Sequence, residues 1–191
     1  MNSTNFSAKF DQQDFGGQIL TDYEFEDCSF THCKFSNAQL ANCKFINCTF
    51  DSCDVSLAKL SGTSFIDTKF VSCKAIGVDW TNTRQEFSSA FSFQLCQLNY
   101  GNFSNMRQKQ AVFEECELIE VQFNGCDLFK SNFRKANLQG SIFGGCDLRS
   151  SDFTAAINFS IDPLSNKLTK AKFSRNSLGG LLKFFEIEII D

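Results

Sequence analysis

Residues 22–70 read DYEFEDCSFTHCKFSNAQLANCKFINCTFDSCDVSLAKLSGTSFIDTKF. A large apolar residue returns at every fifth position: Phe25, Phe30, Phe35, Leu40, Phe45, Phe50, Val55, Leu60, Phe65 and Phe70. Two residues before each centre from Phe30 onward sits a smaller one, most often cysteine. A period of five fits neither the 3.6 of a helix nor the 2 of a strand. Self-similarity at a fixed period is the sequence signature of a solenoid.

The period extends upstream through Phe10, Phe15 and Leu20, so coils begin near Phe10 and residues 1–9 read as a tail or a loose first strand. From Phe10 to Trp80 all fifteen centres are apolar. Leucine occupies 20, 40 and 60, with Trp at 80, while 10, 30, 50 and 70 are Phe. Like residues thus recur every 20, which gives four repeats per coil. Residues 20 apart would then stack at the strand spacing of about 4.7–4.9 Å. The phase breaks after Trp80, and the next centre is Phe93. The 81–92 irregularity reads as a bulge or short loop of the kind solenoids tolerate, or as a recognition loop on a rigid scaffold. A second block runs from Phe93 to Phe153 with twelve of thirteen centres Phe or Leu. The exception, Gln108, predicts a corner distortion around 106–110. The pattern falters at Asn158 and Pro163 and returns at Leu168, Phe173 and Leu178.

Beyond residue 178 the period ends. Eight of the last fourteen residues are apolar, and the pattern predicts a short helix or turn over 181–185 and a strand over 186–190. A solenoid leaves its last coil open to unwanted pairing, and terminal caps close it. So apolar a segment points to dimerisation as well, through Leu181, Leu182, Phe184, Phe185, Ile187 and Ile189. The domain reading is therefore a tail at 1–9, a β-helix at 10–178 and a cap at 179–191.

All ten cysteines lie two before a centre. Such regular dispersal does not converge on a metal, which needs four ligands at one point. They read as small buried thiols that pack the inner wall, and the pairs 20 apart are expected to remain reduced. His32, the single histidine, falls on a solvent-side slot. No Ser/His/Asp set, phosphate loop or dinucleotide fingerprint is present, so neither enzyme nor cofactor is expected. The start of the chain shows no secretory signal and no apolar run is long enough to span a membrane, so a reducing cytoplasmic setting is expected. The net charge of −4 disfavours direct nucleic-acid binding. Charge is uneven: residues 1–80 carry 6 basic and 10 acidic groups, residues 129–191 carry 9 and 6. Stacking by 20 aligns Asp14, Lys34, Asp54 and Lys74, and likewise Glu24 with Lys44 and Lys59 with Asp79, as cross-strand pairs. Asp27, Asp67, Glu114, Glu115, Asp127 and Asp147 are the candidate partner-binding acids.

Cys-Lys-Phe at 33–35 and 43–45, Ala-Asn-Leu at 136–138, and Cys-Asp-Leu at 126–128 and 146–148 resemble the pentapeptide-repeat family. The resemblance covers roughly 10–178. It implies an all-β fold, a right-handed quadrilateral β-helix with four repeats per coil and here a short C-terminal helix and strand cap. The layout is similar to that of the Qnr-type quinolone-resistance proteins. That resemblance implies a rod-shaped homodimer joined through its C-terminus, which engages DNA gyrase or topoisomerase IV partly by imitating duplex DNA. The alternative expectation is a scaffold for an unrelated cytoplasmic protein.

Overall fold

A corner is built into the regular repeats two residues past the centre. There the backbone takes the left-handed conformation: φ is +52° at Gln12, +55° at Asp27, +51° at Asn47 and +60° at Lys130. That region costs most L-residues about 1–2 kcal/mol and is cheapest for Gly, Asn and Asp. The sequence favours those residues and Ser at this slot. The structure, a computed structural model, describes residues 4–85, 90–185, 187–188 and 190. It is an all-β, four-sided solenoid of about eight coils with one short C-terminal helix.

Each coil hydrogen-bonds in parallel to the next with a register of 20. Phe10 pairs with Phe30, Phe30 with Phe50 and Phe50 with Phe70. Leu20 pairs with Leu40, and Phe25 with Phe45 and then Phe65. The four walls are named here by their first centres: Phe10, Phe15, Leu20 and Phe25. Strand Thr4–Phe6 already pairs with Glu24–Glu26, so the ladder starts inside the segment read as a tail or loose strand.

The Phe10 wall is phenylalanine throughout. Its rings, from Phe10 to Phe173, stack face to face with centroids 4.6–5.7 Å apart. Such offset pairs add about 0.5–1.5 kcal/mol each beyond the area they bury. The second aromatic stack changes walls. In the first block it lies on the Phe25 wall (Phe25, Phe45, Phe65), beside leucines on the Leu20 wall. In the second block Phe103, Phe123 and Phe143 carry it on the Leu20 wall, and Leu128 and Leu148 stand on the Phe25 wall. Trp80 is the crossover, stacked on Phe103 at 5.7 Å, with the small Ala75 one repeat before it. Core volume is thus conserved while the large residue moves to the adjacent wall.

Where the position two before a centre is Cys, Ser or Thr, it does more than fill space. Cys48 Sγ donates to the Phe25 carbonyl at 3.4 Å, and Cys126 Sγ to the Phe103 carbonyl at 2.9 Å. Thr63 Oγ1 donates to the Leu40 carbonyl at 2.7 Å and Ser151 Oγ to Leu128 at 2.7 Å. All four reach the carbonyl 23 residues earlier, where the corner turns it away from the ladder. Thiol and hydroxyl therefore serve one purpose, and a buried carbonyl keeps a donor.

Near the end, Asn158 misses the core and its neighbour Phe159 enters it, with Ile161 buried beside it. The chain then closes with helix Gly179–Leu182 and a 3-10 turn at Lys183–Phe185. Gly180 makes the closure possible: a Cβ there would lie 2.4 Å from the Phe159 carbonyl oxygen. The strand expected over 186–190 is not formed at Ile187, Glu188 or Ile190; Glu186 and Ile189 lie outside the described residues. An apolar run alone does not establish a strand. Thr63→Val keeps side-chain volume and removes the donor to Leu40. It should lower the stability measured by urea unfolding by about 1–3 kcal/mol, whereas Thr63→Cys should cost less.

A candidate interaction surface

The break after Trp80 is a register change of three residues. Phe70 pairs with Phe93, Lys74 with Gln97 and Asp79 with Asn102, so 23 replaces 20. The Trp80–Asn82 turn is capped by Asp79, whose Oδ1 accepts from Thr81 N at 3.1 Å. Asp79 is thereby engaged, and among the described residues no ion pair joins it to Lys59, contrary to the expected column. Residues 86–89 lie outside the described residues. Phe91 enters the core against Trp80, with centroids 5.0 Å apart.

Gln108 explains how the gap is closed. It stands on the Phe25 wall one level past the interruption, buried, and its Oε1 accepts the Phe91 N–H at 2.8 Å. Gln85 Oε1 accepts from Arg107 N at 2.8 Å in the same way. Two amide side chains thus take up donors at the broken ladder. The distortion expected over 106–110 is absent: Arg107 bridges Asp127 in regular register, and Gln108 N donates to the Asp127 carbonyl at 2.8 Å.

The candidate acids divide into two groups. Glu114 lies 3.9 Å from Arg134, Glu115 2.8 Å from Lys135, Asp127 3.4 Å from Lys109 and Asp147 2.5 Å from Arg149. The Arg149 guanidinium hydrogen-bonds Asp147 and holds its carboxyl below the usual range. Asp27 and Asp67 are exposed corner residues with no ion pair among the described residues, although Asn47 Nδ2 donates to Asp27. The Asp14–Lys34 and Glu24–Lys44 pairs form as the stacking rule predicts, at 3.8 and 3.5 Å. His32 is exposed and faces Asp11 at 3.7 Å.

The tail residues also divide. Leu181 packs partly against the core and Leu182 is half-buried, so these two close the end of the rod. Phe184, Phe185 and Ile187 are exposed by 47, 43 and 55%, and Ile190 by 87%. Ile189 lies outside the described residues.

The ten cysteines are free thiols, all buried. Five of them, Cys33, Cys53, Cys73, Cys96 and Cys116, stack along the Phe15 wall, where Cys53 Sγ accepts from Cys33 N at 3.3 Å. Among the described residues no group of three or more His, Cys, Asp or Glu side chains is placed to hold a metal ion. Burial pushes the Cys48 and Cys126 thiols up to about 12. No helix among the described residues is long and apolar enough to cross a membrane.

A four-sided parallel solenoid with a centre every five residues defines a class of repeat protein. The family model described as "Pentapeptide repeat region" matches residues 23–103, and "Pentapeptide repeats (8 copies)" matches 92–134 and 131–160. The chain belongs to the pentapeptide-repeat family. No curated protein matches it in sequence. Among solved structures it is similar to a trypsin-treated form of QnrB1, a plasmid-mediated fluoroquinolone resistance protein. The TM-score is 0.61 at 20% identity over 99% of this chain and 98% of that one. A second trypsin-treated form gives 0.54 at 22% with the same coverage. It is also similar to HetL, a pentapeptide-repeat protein involved in heterocyst differentiation regulation in the cyanobacterium Nostoc sp. strain PCC 7120. There the TM-score is 0.63 at 16% identity over 89% of this chain and 84% of that one.

The Cys48 and Cys126 thiols give a pH signature. Their folded pKa values lie above the ordinary 9.0, so the unfolded chain loses these protons first. Stability from this source is complete below about pH 9 and falls as pH rises toward 12. The melting temperature should decline across that window. A thiol reagent at pH 8 should find ten groups in denaturant and almost none in the folded protein.

Proposed function

We propose that this chain is a non-enzymatic interaction rod whose partner is a type II DNA topoisomerase, gyrase or topoisomerase IV. The observation that carries the reading is the end-to-end likeness to QnrB1, with 99% of this chain aligned to 98% of that one. The chain has a convex outer surface of flat walls, suited to docking against a groove built for another rod, duplex DNA. Negative charge for such mimicry is concentrated in the first block, where Asp27 and Asp67 lack ion pairs among the described residues. Glu114, Glu115, Asp127 and Asp147 contribute less, because each is neutralised by a neighbouring cation. Phe184, Phe185 and Ile187 would join two rods end to end in a homodimer, with Leu181 and Leu182 bracing them from beneath.

The neutralised acids favour a second reading, a scaffold for an unrelated cytoplasmic partner that recognises a mixed surface. A supercoiling assay with purified gyrase, with and without ciprofloxacin, separates the two. The topoisomerase reading expects relief of drug inhibition, or inhibition of supercoiling, at roughly micromolar protein. No change in either condition removes it and leaves the scaffold. Separately, Phe184→Glu with Phe185→Glu should turn a dimer into a monomer in sedimentation at physiological salt; an unchanged mass excludes the tail as the contact.

A further inference from the structure

Three corners of the rod carry side chains that do not suit their backbone. Among the described residues, Leu57, Leu95 and Tyr100 are the left-handed positions with a large, mainly apolar side chain, at φ of +57°, +56° and +62°. They are exposed by 55, 55 and 58%. Left-handed backbone is unfavourable for such residues, and at this exposure burial offers little compensation. One of them alone would be ordinary. All three border a single wall, the Phe15 wall: Leu95 at the edge where its strands begin, Leu57 and Tyr100 at the edge where they end. Half-buried Ile76 and Ile119 lie on the outer face of the same wall, which makes a patch. Gly77 stands in the corner column between Leu57 and Tyr100, and the Leu57 side chain leans over it: a Cβ at Gly77 would lie 2.8 Å from Leu57 Cδ2. Among the described residues Asp54, Lys74 and Glu117 on this wall have no ion pair, and Lys34 holds only Asp14, at 3.8 Å, between exposed side chains.

We propose that the Phe15 wall is a self-complementary docking surface that takes a second copy of this chain, side by side and antiparallel. Its seven regular levels run from Phe15 to Leu138, with the Ala75 level at the middle. A two-fold axis in the contact plane, along the strands at the Ala75 level, reverses the rod, keeps the strand direction and overlaps all seven levels. The Val55 level of one copy then meets the Leu98 level of the other, and the Phe35 level meets the Leu118 level. Leu57 faces Tyr100 at two symmetric places, and Ile76 faces Ile76 on the axis. Gly77, also on the axis, leaves that edge bare, so that the Leu57 and Tyr100 side chains close over it. Lys34 faces Glu117, again twice. Lys74 meets its own copy on the axis, but each stands between its own Asp54 and that of the second copy, so the four make a neutral cluster. No acid of the wall or its corners faces another acid. Leu95 lies at the opposite edge, over Ser52. The occupant follows from this register: the apolar, basic and acidic groups sit at levels equally spaced from the centre of the wall, as a two-fold contact requires. A wall about 10 by 34 Å buries on the order of 700 Å² in the pair, the size of a weak, reversible contact. The residues invoked are all described and lie on the side of the rod away from the Phe25 wall. The contact rests on neither the topoisomerase reading nor the tail, and it leaves Asp27 and Asp67 open to another partner.

The test uses the full chain carrying Phe184→Glu and Phe185→Glu, so that tail contacts do not contribute. Sedimentation at tens of micromolar protein and about 50 mM salt should show dimers in reversible exchange with monomers. A parent that stays monomeric there overturns the proposal and leaves the patch to a different protein. Leu57→Asn with Tyr100→Asn puts at both corners a residue suited to left-handed backbone. The melting temperature should therefore hold or rise, while the dissociation constant weakens at least roughly tenfold. An unchanged dissociation constant overturns the proposal. Lys34→Glu sets an acid against Glu117, and Glu117→Lys sets a cation against Lys34, so each variant alone should associate at least roughly tenfold more weakly than the parent. Their equimolar mixture restores both pairs within a mixed dimer and should associate as the parent does. Folded charge variants that dimerise alone like the parent, or that fail to associate when mixed, overturn the proposal.

Discussion

Everything in this molecule depends on the parallel hydrogen-bond register of 20 residues between coils. It works because each corner spends one left-handed residue, which turns the chain by a quarter and returns every wall to the same place. With the register set, a residue's number decides what it stands on and what stands on it. Centres must point inward, the position two before them is buried as well and, where it is Cys, Ser or Thr, donates to a carbonyl of the coil below, and most of the remaining slots face solvent. The interior is therefore tightly determined, while the outer surface is free to carry any sequence compatible with the corners.

This division explains what could be read from the sequence. The fold was legible because inward positions meet one environment at every coil, so period five and period 20 both appear in the composition of the centres. The ion pairs at exact stacking distance, Lys34 with Asp14 and Lys135 with Glu115, follow from the same arithmetic. Pairs that lie off it, such as Lys109 with Asp127, depend on rotamers and were not legible. The thiol and hydroxyl donors reach back 23 residues across a corner, a relation that no single wall displays. Gln108 was misread for a related reason. A polar centre looks like a defect until the interrupted coil beside it shows an N–H in need of an acceptor.

The interruption is more than a tolerated insertion in its energetic effect. It coincides with the transfer of the second aromatic stack from the Phe25 wall to the Leu20 wall, and Trp80 packs edge to face against both Phe91 and Phe93 across it. Two blocks with differently arranged cores are thereby joined through one aromatic cluster. The charge balance also differs between the blocks, from 6 basic and 10 acidic groups in residues 1–80 to 9 and 6 in residues 129–191.

The crossover at Trp80 bears on a hazard peculiar to repetitive chains. A sequence that repeats every five residues can mis-thread, pairing a coil with the wrong repeat at little local penalty, and such errors are kinetic traps. A slip of five here would set Phe45 on Leu20, or press Trp80 into a space shaped for Phe65. A slip of a whole coil across the break would leave Gln108 buried without the Phe91 N–H that it accepts. The irregular residues therefore act as fiducial marks: a chain of near-identical units carries, at its middle, a place where a single alignment satisfies the core.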